Sequence, residues 1–205
     1  KKDNSTYTSS DNKVNHNAEN NQRNQLIALY KETMRCHMCS LVNTRNKMIF
    51  GAGKHNSKLM IIGDIPEIED EKTGYPFQGE SGQLLDNMLK AIQLDRKNLF
   101  IANVLKCCTP QNREPQSDEI IACLPYINKQ IDIIKPELFF CLGHSTAKFL
   151  LQTNSAMEDL RQKIIPFHGG KMIISHHPRS LIKNPLLKRE AWDDLKLLKK
   201  LIDTE

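Results

Sequence analysis

The sequence predicts a three-layer α/β/α sandwich built on a central, mostly parallel four-stranded sheet. Three observations point there. Four short apolar runs (58–64, 98–106, 136–143 and 171–178) are separated by segments whose apolar residues recur every three or four positions. The runs are apolar throughout, as strands covered on both faces are. Their alternation with helices is that of βαβ units, which lay strands parallel.

Residues 1–24 are rich in Asn, Ser, Lys and Asp and nearly devoid of apolar side chains. Such a segment buries too little surface to offset the entropy of ordering, so it is expected to be a disordered tail ahead of a folded domain at 25–205. "LIALYKETMRC" then starts an amphipathic helix. "KLMIIGD" (58–64) reads as a buried strand, "SGQLLDNMLKAI" (81–92) as a helix and "NLFIANVLK" (98–106) as a second strand. "SDEIIACLPYINKQIDII" (117–134) is a helix with Ser117 as the expected N-cap. "PELFFCLG" (136–143) is a third strand and "HSTAKFLL" (144–151) a short helix. "KMIISHHP" (171–178) is a fourth strand and "KREAWDDLKLLKKLI" (188–202) the closing helix. In open parallel sheets ligands bind beyond the carboxyl ends of the strands. Those ends carry Gly63-Asp64, Asn103, Gly143-His144 and His176-His177.

A chain of 205 residues, 39% apolar and 26% charged, suits one soluble globular domain. No apolar run of about 18 residues is present, so no membrane span is expected. No charged-then-apolar export signal stands at the start, which gives the expectation of a cytoplasmic protein in a bacterial-type cell. The net charge of +5 permits a polyanionic partner without demonstrating one. Basic residues gather late: Arg179, Lys183, Lys188, Arg189, Lys196, Lys199 and Lys200 lie among only three acidic ones.

Without an export signal, six cysteines suggest metal binding more than disulfides. Cys36 and Cys39 form a C-x2-C pair, Cys107 or Cys108 follows the second strand, and Cys123 lies in the next helix. Four such thiolates suit a tetrahedral zinc or a four-iron cluster. Cys123 on a helix, with no second C-x2-C, favours iron–sulfur. Neighbouring strand residues point to opposite sides, so only one of Cys107 and Cys108 should face the group. Cys141, inside "LFFCLG", reads as a core residue.

Several stretches together resemble the family 4 uracil-DNA glycosylases, the iron–sulfur branch of their superfamily. They are the C-x2-C at Cys36, "GDIPEIEDEKTGYPFQGESGQLL" (63–85), "NVLKCCTPQNREP" with Cys123 downstream, "LGHSTAKFLL" and "HHPRSLIKNPLLKREAWDDL". The resemblance covers roughly Gln25 to Leu201. It implies hydrolysis of the bond between uracil and deoxyribose in uracil-containing DNA, by a monomer. It also implies a structural [4Fe-4S] cluster on Cys36, Cys39, Cys107 and Cys123, the "N-V-x-K-C" match choosing Cys107 over Cys108.

Under that resemblance each site residue has a physical task. A base must leave the stack before its glycosidic bond is reachable. Phe77 would be the flat apolar platform for it. An Asn amide carries one donor side and one acceptor side, so Asn103 can match uracil in one orientation. His177 would donate to uracil O2, where charge grows in the transition state. Leu181 would wedge into the gap left by the flipped nucleotide. Arg179, Lys183 and Lys188 would contact phosphates. Asp64 holds the position of the family's glutamate and would activate water or stabilise the cationic sugar, with Asp70 and Glu71 as alternatives.

The sequence departs from the family at the site itself. Ile65, on the wall of the substrate pocket, stands where a small residue is usual, and Glu67 stands where Gly is usual. Arg179 replaces a small residue and Ser180 an aromatic. Ile65 and Glu67 would narrow the pocket, slow the reaction or change the substrate range, and Glu67 would help reject thymine. Two rivals remain: a non-catalytic DNA-binding iron–sulfur module derived from such a glycosylase, and a zinc-stabilised nucleotide-binding domain.

Overall fold

The computed structural model describes residues 9–204. Among the described residues, six strands form one sheet in the order β1-β3-β2-β4-β6-β5. The four central ones are those read from the apolar runs: β2 (Leu59–Gly63), β3 (Phe100–Asn103), β4 (Leu138–Leu142) and β6 (Gly170–Ser175). All three pairings among them are parallel. The expected four-strand count is corrected by two antiparallel edge strands, β1 (Ala52–Gly53) and β5 (Ile165–Phe167). At two and three residues they are too short to leave a periodic signal.

Alternation along β2 divides the core between two faces. Met60 and Ile62 pack with Leu26 and Leu29 of α1 (Ser9–Met34) and with Ile127 and Ile131 of α4 (Ser117–Ile134). Leu59 and Ile61 pack with Leu85 and Leu89 of α3 (Glu80–Ala91) and with Leu195 and Leu198 of α8 (Lys188–Thr204). Helix, sheet and helix are thus the three expected layers. Between these elements lie α2 (Ile68–Thr73), α5 (His144–Leu151), α6 (Met157–Leu160) and α7 (Pro178–Lys183).

Of the expected tail at 1–24, residues 1–8 lie outside the described ones and the rest falls within α1. The helix begins at Ser9, although its first turns are polar. Its flank is held by polar contacts rather than apolar ones: Asn56 Nδ2 donates to Glu19 Oε1 (2.8 Å) and Gln22 Nε2 to the Ile133 carbonyl (3.1 Å). The cap of α4 also differs by one residue. Gln116 is the N-cap, and its N–H donates to Glu119 Oε2 (2.8 Å) in a reciprocal capping box.

Order β3-β2-β4-β6 places the chain reversal at β2, so crossovers run outward on either side of it. The carboxyl ends of β2, β3 and β6 therefore open onto one crevice, where Asp64, Asn103 and His177 follow their strands.

Candidate active site

The loop after β2 is organised by a buried carboxylate. Asp70 accepts the Gln78 N–H at Oδ1 (2.8 Å) and the Glu67 N–H at Oδ2 (3.0 Å), closing a capping box at the start of α2. Burial pushes its pKa up, and these backbone donors work against that. Asp70 is thereby a scaffold for the loop. Glu71 faces Asn46, accepting from its backbone N–H and its side-chain amide.

This loop holds Phe77 at φ 56°, in the left-handed region that bulky residues rarely occupy. Arg96 clamps the turn from outside: Nη1 donates to the Phe77 carbonyl (2.9 Å) and Nη2 to the Pro76 carbonyl. Gly63 faces the ring, and a Cβ there would stand 2.7 Å from Phe77 Cζ and run into Asn103 Oδ1. Only glycine lets the platform and the amide meet at the end of β2.

Phe77, Asn103 and His177 come together with Ile65, Glu67 and Ser81 around one narrow pocket with no room for a water molecule. Asn103 is 1% exposed, and neither its Oδ1 nor its Nδ2 has a hydrogen-bond partner. Buried amides without partners are costly, which marks this one as built for something else. The His177 ring lies 5.4 Å from that of Phe77, inclined by 24°. Its Nδ1 accepts the Arg179 N–H (3.1 Å), which places the ring proton on Nε2. That Nε2 is buried and without a hydrogen-bond partner, with Asp64 Oδ1 3.7 Å away. Burial lowers the His177 pKa to about 4 against the opposing pull of the Asp64 carboxylate, so the ring is a neutral donor at pH 7.

Outside the narrow pocket lies a cleft of about 510 Å³, whose lining includes Asp64, Glu67, His177, Arg179 and Lys183. Asp64 Oδ1 accepts the Ile65 N–H (2.7 Å) and the Arg179 Nη2–H (2.7 Å). Arg179 Nε also stands 3.9 Å from Glu67 Oε1. Arg179, expected on the DNA backbone, pairs here with carboxylates. Leu181, the expected wedge, lies in α7. It is 1% exposed and packs in the core with α3 and α8, so it cannot leave as a wedge without opening that core. The exposed apolar residue of this segment is Leu186, 85% exposed in the turn after α7.

Cys36, Cys39, Cys107 and Cys123 line one narrow pocket together with Arg45, Lys106 and Tyr126. Both Cys107 and Cys108 lie beyond β3, so strand alternation does not separate them; the loop does. Cys107 takes an N–H from Arg45 Nη1 (3.5 Å), while the Cys108 thiol turns away and donates to the Glu67 carbonyl (3.1 Å). Burial pushes the Cys123 thiol up to about 12 and raises Cys39 and Cys107 as well. Among the described residues, no three His, Cys, Asp or Glu side chains converge on a point where a single metal ion would sit. The thiols line the narrow pocket instead, with Arg45 and Lys106 beside them. Cys141 is fully buried in β4, as expected of a core residue.

Sequence reasoning missed Arg96, which carries no motif, and Lys106, a lysine inside an apolar run that invited the question of where its charge goes.

The family model of the uracil DNA glycosylase superfamily matches residues 50–196. A type-4 uracil-DNA glycosylase of Sulfurisphaera tokodaii is 34% identical over 188 residues, covering 87% of this chain and 86% of its own. One of Thermotoga maritima is 31% identical over 89% of this chain and 98% of its own. A DNA polymerase of Bacillus phage SP01 is 28% identical over 77% of this chain, a stretch that is 17% of the polymerase. Fold, site and these relatives agree: the chain belongs to the uracil DNA glycosylase superfamily, in the family of its type-4 enzymes.

Proposed function

We propose that this protein excises uracil from DNA by hydrolysing its N-glycosidic bond and leaves an abasic site. The observation that carries the reading is the set of buried, partnerless polar atoms around Phe77: Asn103 Oδ1 and Nδ2, and His177 Nε2. Uracil supplies their complements. Its O4 accepts from the amide nitrogen, its N3–H donates to the amide oxygen, and its O2 accepts from the imidazole. Cytosine reverses the first two, so the amide in this orientation does not match it.

As the C1′–N1 bond breaks, its electron pair passes to the uracil ring and O2. The neutral His177 donor meets that charge, which is larger in the transition state than in the ground state. Asp64 faces the cationic sugar and holds the attacking water, whose oxygen bonds to C1′ and whose proton is lost to the carboxylate or solvent. The pocket has no water-sized room as it stands, so the base enters only when its lining, Glu67 included, moves. Lys183 and Lys188 contact phosphates, and Leu186 takes the wedge position that Leu181 cannot fill. The acting unit is a monomer, as the family resemblance implies. No described helix is long and apolar enough to cross a membrane.

The four thiols fit a four-iron cluster better than zinc. Zinc needs its sulfurs gathered about one ion, whereas each iron of a cluster takes its own thiolate. Cys36, Cys39, Cys107 and Cys123 would hold it, and it would supply a cross-link between the end of α1, the loop after β3, and α4.

The Arg179–Asp64 pair favours a second reading, a DNA-binding module without turnover. One assay separates the two: the purified protein is incubated with uracil-containing single- and double-stranded oligonucleotides, then treated with alkali. Strand cleavage at the uracil supports the enzyme, and none at enzyme excess supports the module.

A further inference from the structure

A chain of hydrogen-bonded side chains runs from α8 to the residue before His177. It begins at Asp194, fully buried in α8. Arg161, which follows α6, meets this carboxylate with two donors: Nε to Oδ2 (2.9 Å) and Nη2 to Oδ1 (3.1 Å). Gln162 Nε2 also donates to Oδ1 (2.7 Å). The same guanidinium holds Glu190, Nη2 donating to its backbone carbonyl (2.6 Å) and Nη1 to its Oε2. Glu190 Oε2 in turn accepts from His176 Nε2 (2.8 Å). A forked pair between planar groups fixes orientation as well as distance. Glu190 is half exposed, so its bond to His176 takes its geometry from Arg161 rather than from burial. The His176 ring lines neither the pocket at Phe77 nor the cleft outside it. It stands instead on the one residue between the end of β6 at Ser175 and the N-cap of α7 at His177. The backbone on both sides is also tied: the Ser175 carbonyl accepts the Gly143 N–H (2.8 Å) and the His177 carbonyl the Ser180 N–H (2.8 Å).

We propose that His176, Glu190, Arg161 and Asp194 are positioning residues acting as one chain: they fix the backbone that carries His177, and so the aim of its Nε2 at uracil O2. The inference rests on the role given to His177 above. Phe77 and the Arg179 N–H set the His177 ring from within the site. The chain ties the segment bearing that ring to α8. A donor aimed at an atom that gains charge tolerates little error, because a displacement of about 1 Å costs about 10²-fold in rate.

The test uses His176→Leu, which keeps bulk and removes the donor, and His176→Gln, which restores a donor. Glu190→Ala removes the acceptor and leaves the Arg161–Asp194 pair in place. Three quantities are read: the NMR resonances of the His177 imidazole, the single-turnover rate of uracil excision, and affinity for undamaged duplex DNA. His176→Leu and Glu190→Ala should each shift the His177 resonances and slow excision about tenfold, with affinity for undamaged DNA unchanged. The His176→Leu/Glu190→Ala double variant should be no slower than either single one, since a chain broken twice is still one broken chain. His176→Gln should recover most of the rate and the wild-type resonances. Single effects that multiply in the double variant, His177 resonances that do not move, or excision unchanged in both single variants each overturn the proposal. So does a matching loss of excision and of undamaged-DNA binding in every variant, the mark of general disorder. If the wild type excises no uracil while its His177 resonances respond as described, the glycosylase reading falls and the positioning of His177 stands. If the wild type is active and the resonances hold still, the positioning alone falls.

Discussion

Arg179 Nη2 lies 2.7 Å from Asp64 Oδ1, joining the segment after β6 to the segment after β2 across the mouth of the site. A guanidinium that neutralises Asp64 competes with the cationic sugar for the same carboxylate. Arg179→Ser should therefore raise the single-turnover rate of uracil excision by about fivefold, a modest effect because the arginine is 27% exposed and screened. Asp64→Asn should lower it by about 10²-fold or more. Rapid-quench kinetics on one uracil-containing oligonucleotide checks both. A slower Arg179→Ser would mean that the arginine aids catalysis.

His177 sets the response to acid. Its native pKa of about 4 lies below the ordinary 6.5, so the unfolded chain binds this proton first as pH falls. Its contribution to stability is full above pH 6.5 and is lost as pH falls toward 4. Excision should accordingly stay level from about pH 8 to about pH 5.5, while urea midpoints decline below pH 6.5. An excision profile with an inflection at 6.5 would show that the ring is not held neutral.

Leu186 and Leu181 should separate cleanly. Leu186→Ala should slow excision from double-stranded but not single-stranded DNA, with an unchanged melting temperature, because its side chain stands in solvent. Leu181→Ala should cost about 2–5 kcal/mol of stability, as other buried leucines do. Thermal melts paired with excision on both substrates read this directly.

Cys123→Ser removes a thiol from the middle of α4. Iron content should fall and the melting temperature drop by several degrees, since the link between α4 and the loop after β3 is broken. Cys108→Ser should leave iron content unchanged, because that thiol faces the Glu67 carbonyl. Equal loss from both would undo the ligand assignment.

The central strands were legible because burial on both faces writes continuous apolar runs. The edge strands and the polar first half of α1 were not, because two-residue pairings and isolated contacts such as Gln22 to Ile133 leave no pattern. At the site, Phe77, Asn103 and His177 could be placed because strand ends and a proline-glycine turn position them. The surroundings of Arg179 and Leu181 were less legible, for different reasons. A long cation swings to whichever carboxylate is near, and a leucine's side of a one-turn helix depends on what packs behind it.

The central claim is that the partnerless Asn103 amide reads uracil. The most direct test compares single-turnover excision by the wild type and Asn103→Leu, a change that keeps the volume and removes both hydrogen bonds. A fall of about 10²- to 10³-fold, with the same melting temperature or a higher one, is the predicted result, because a buried unpaired amide is removed while base recognition is lost. Excision by Asn103→Leu within about tenfold of the wild type would contradict it.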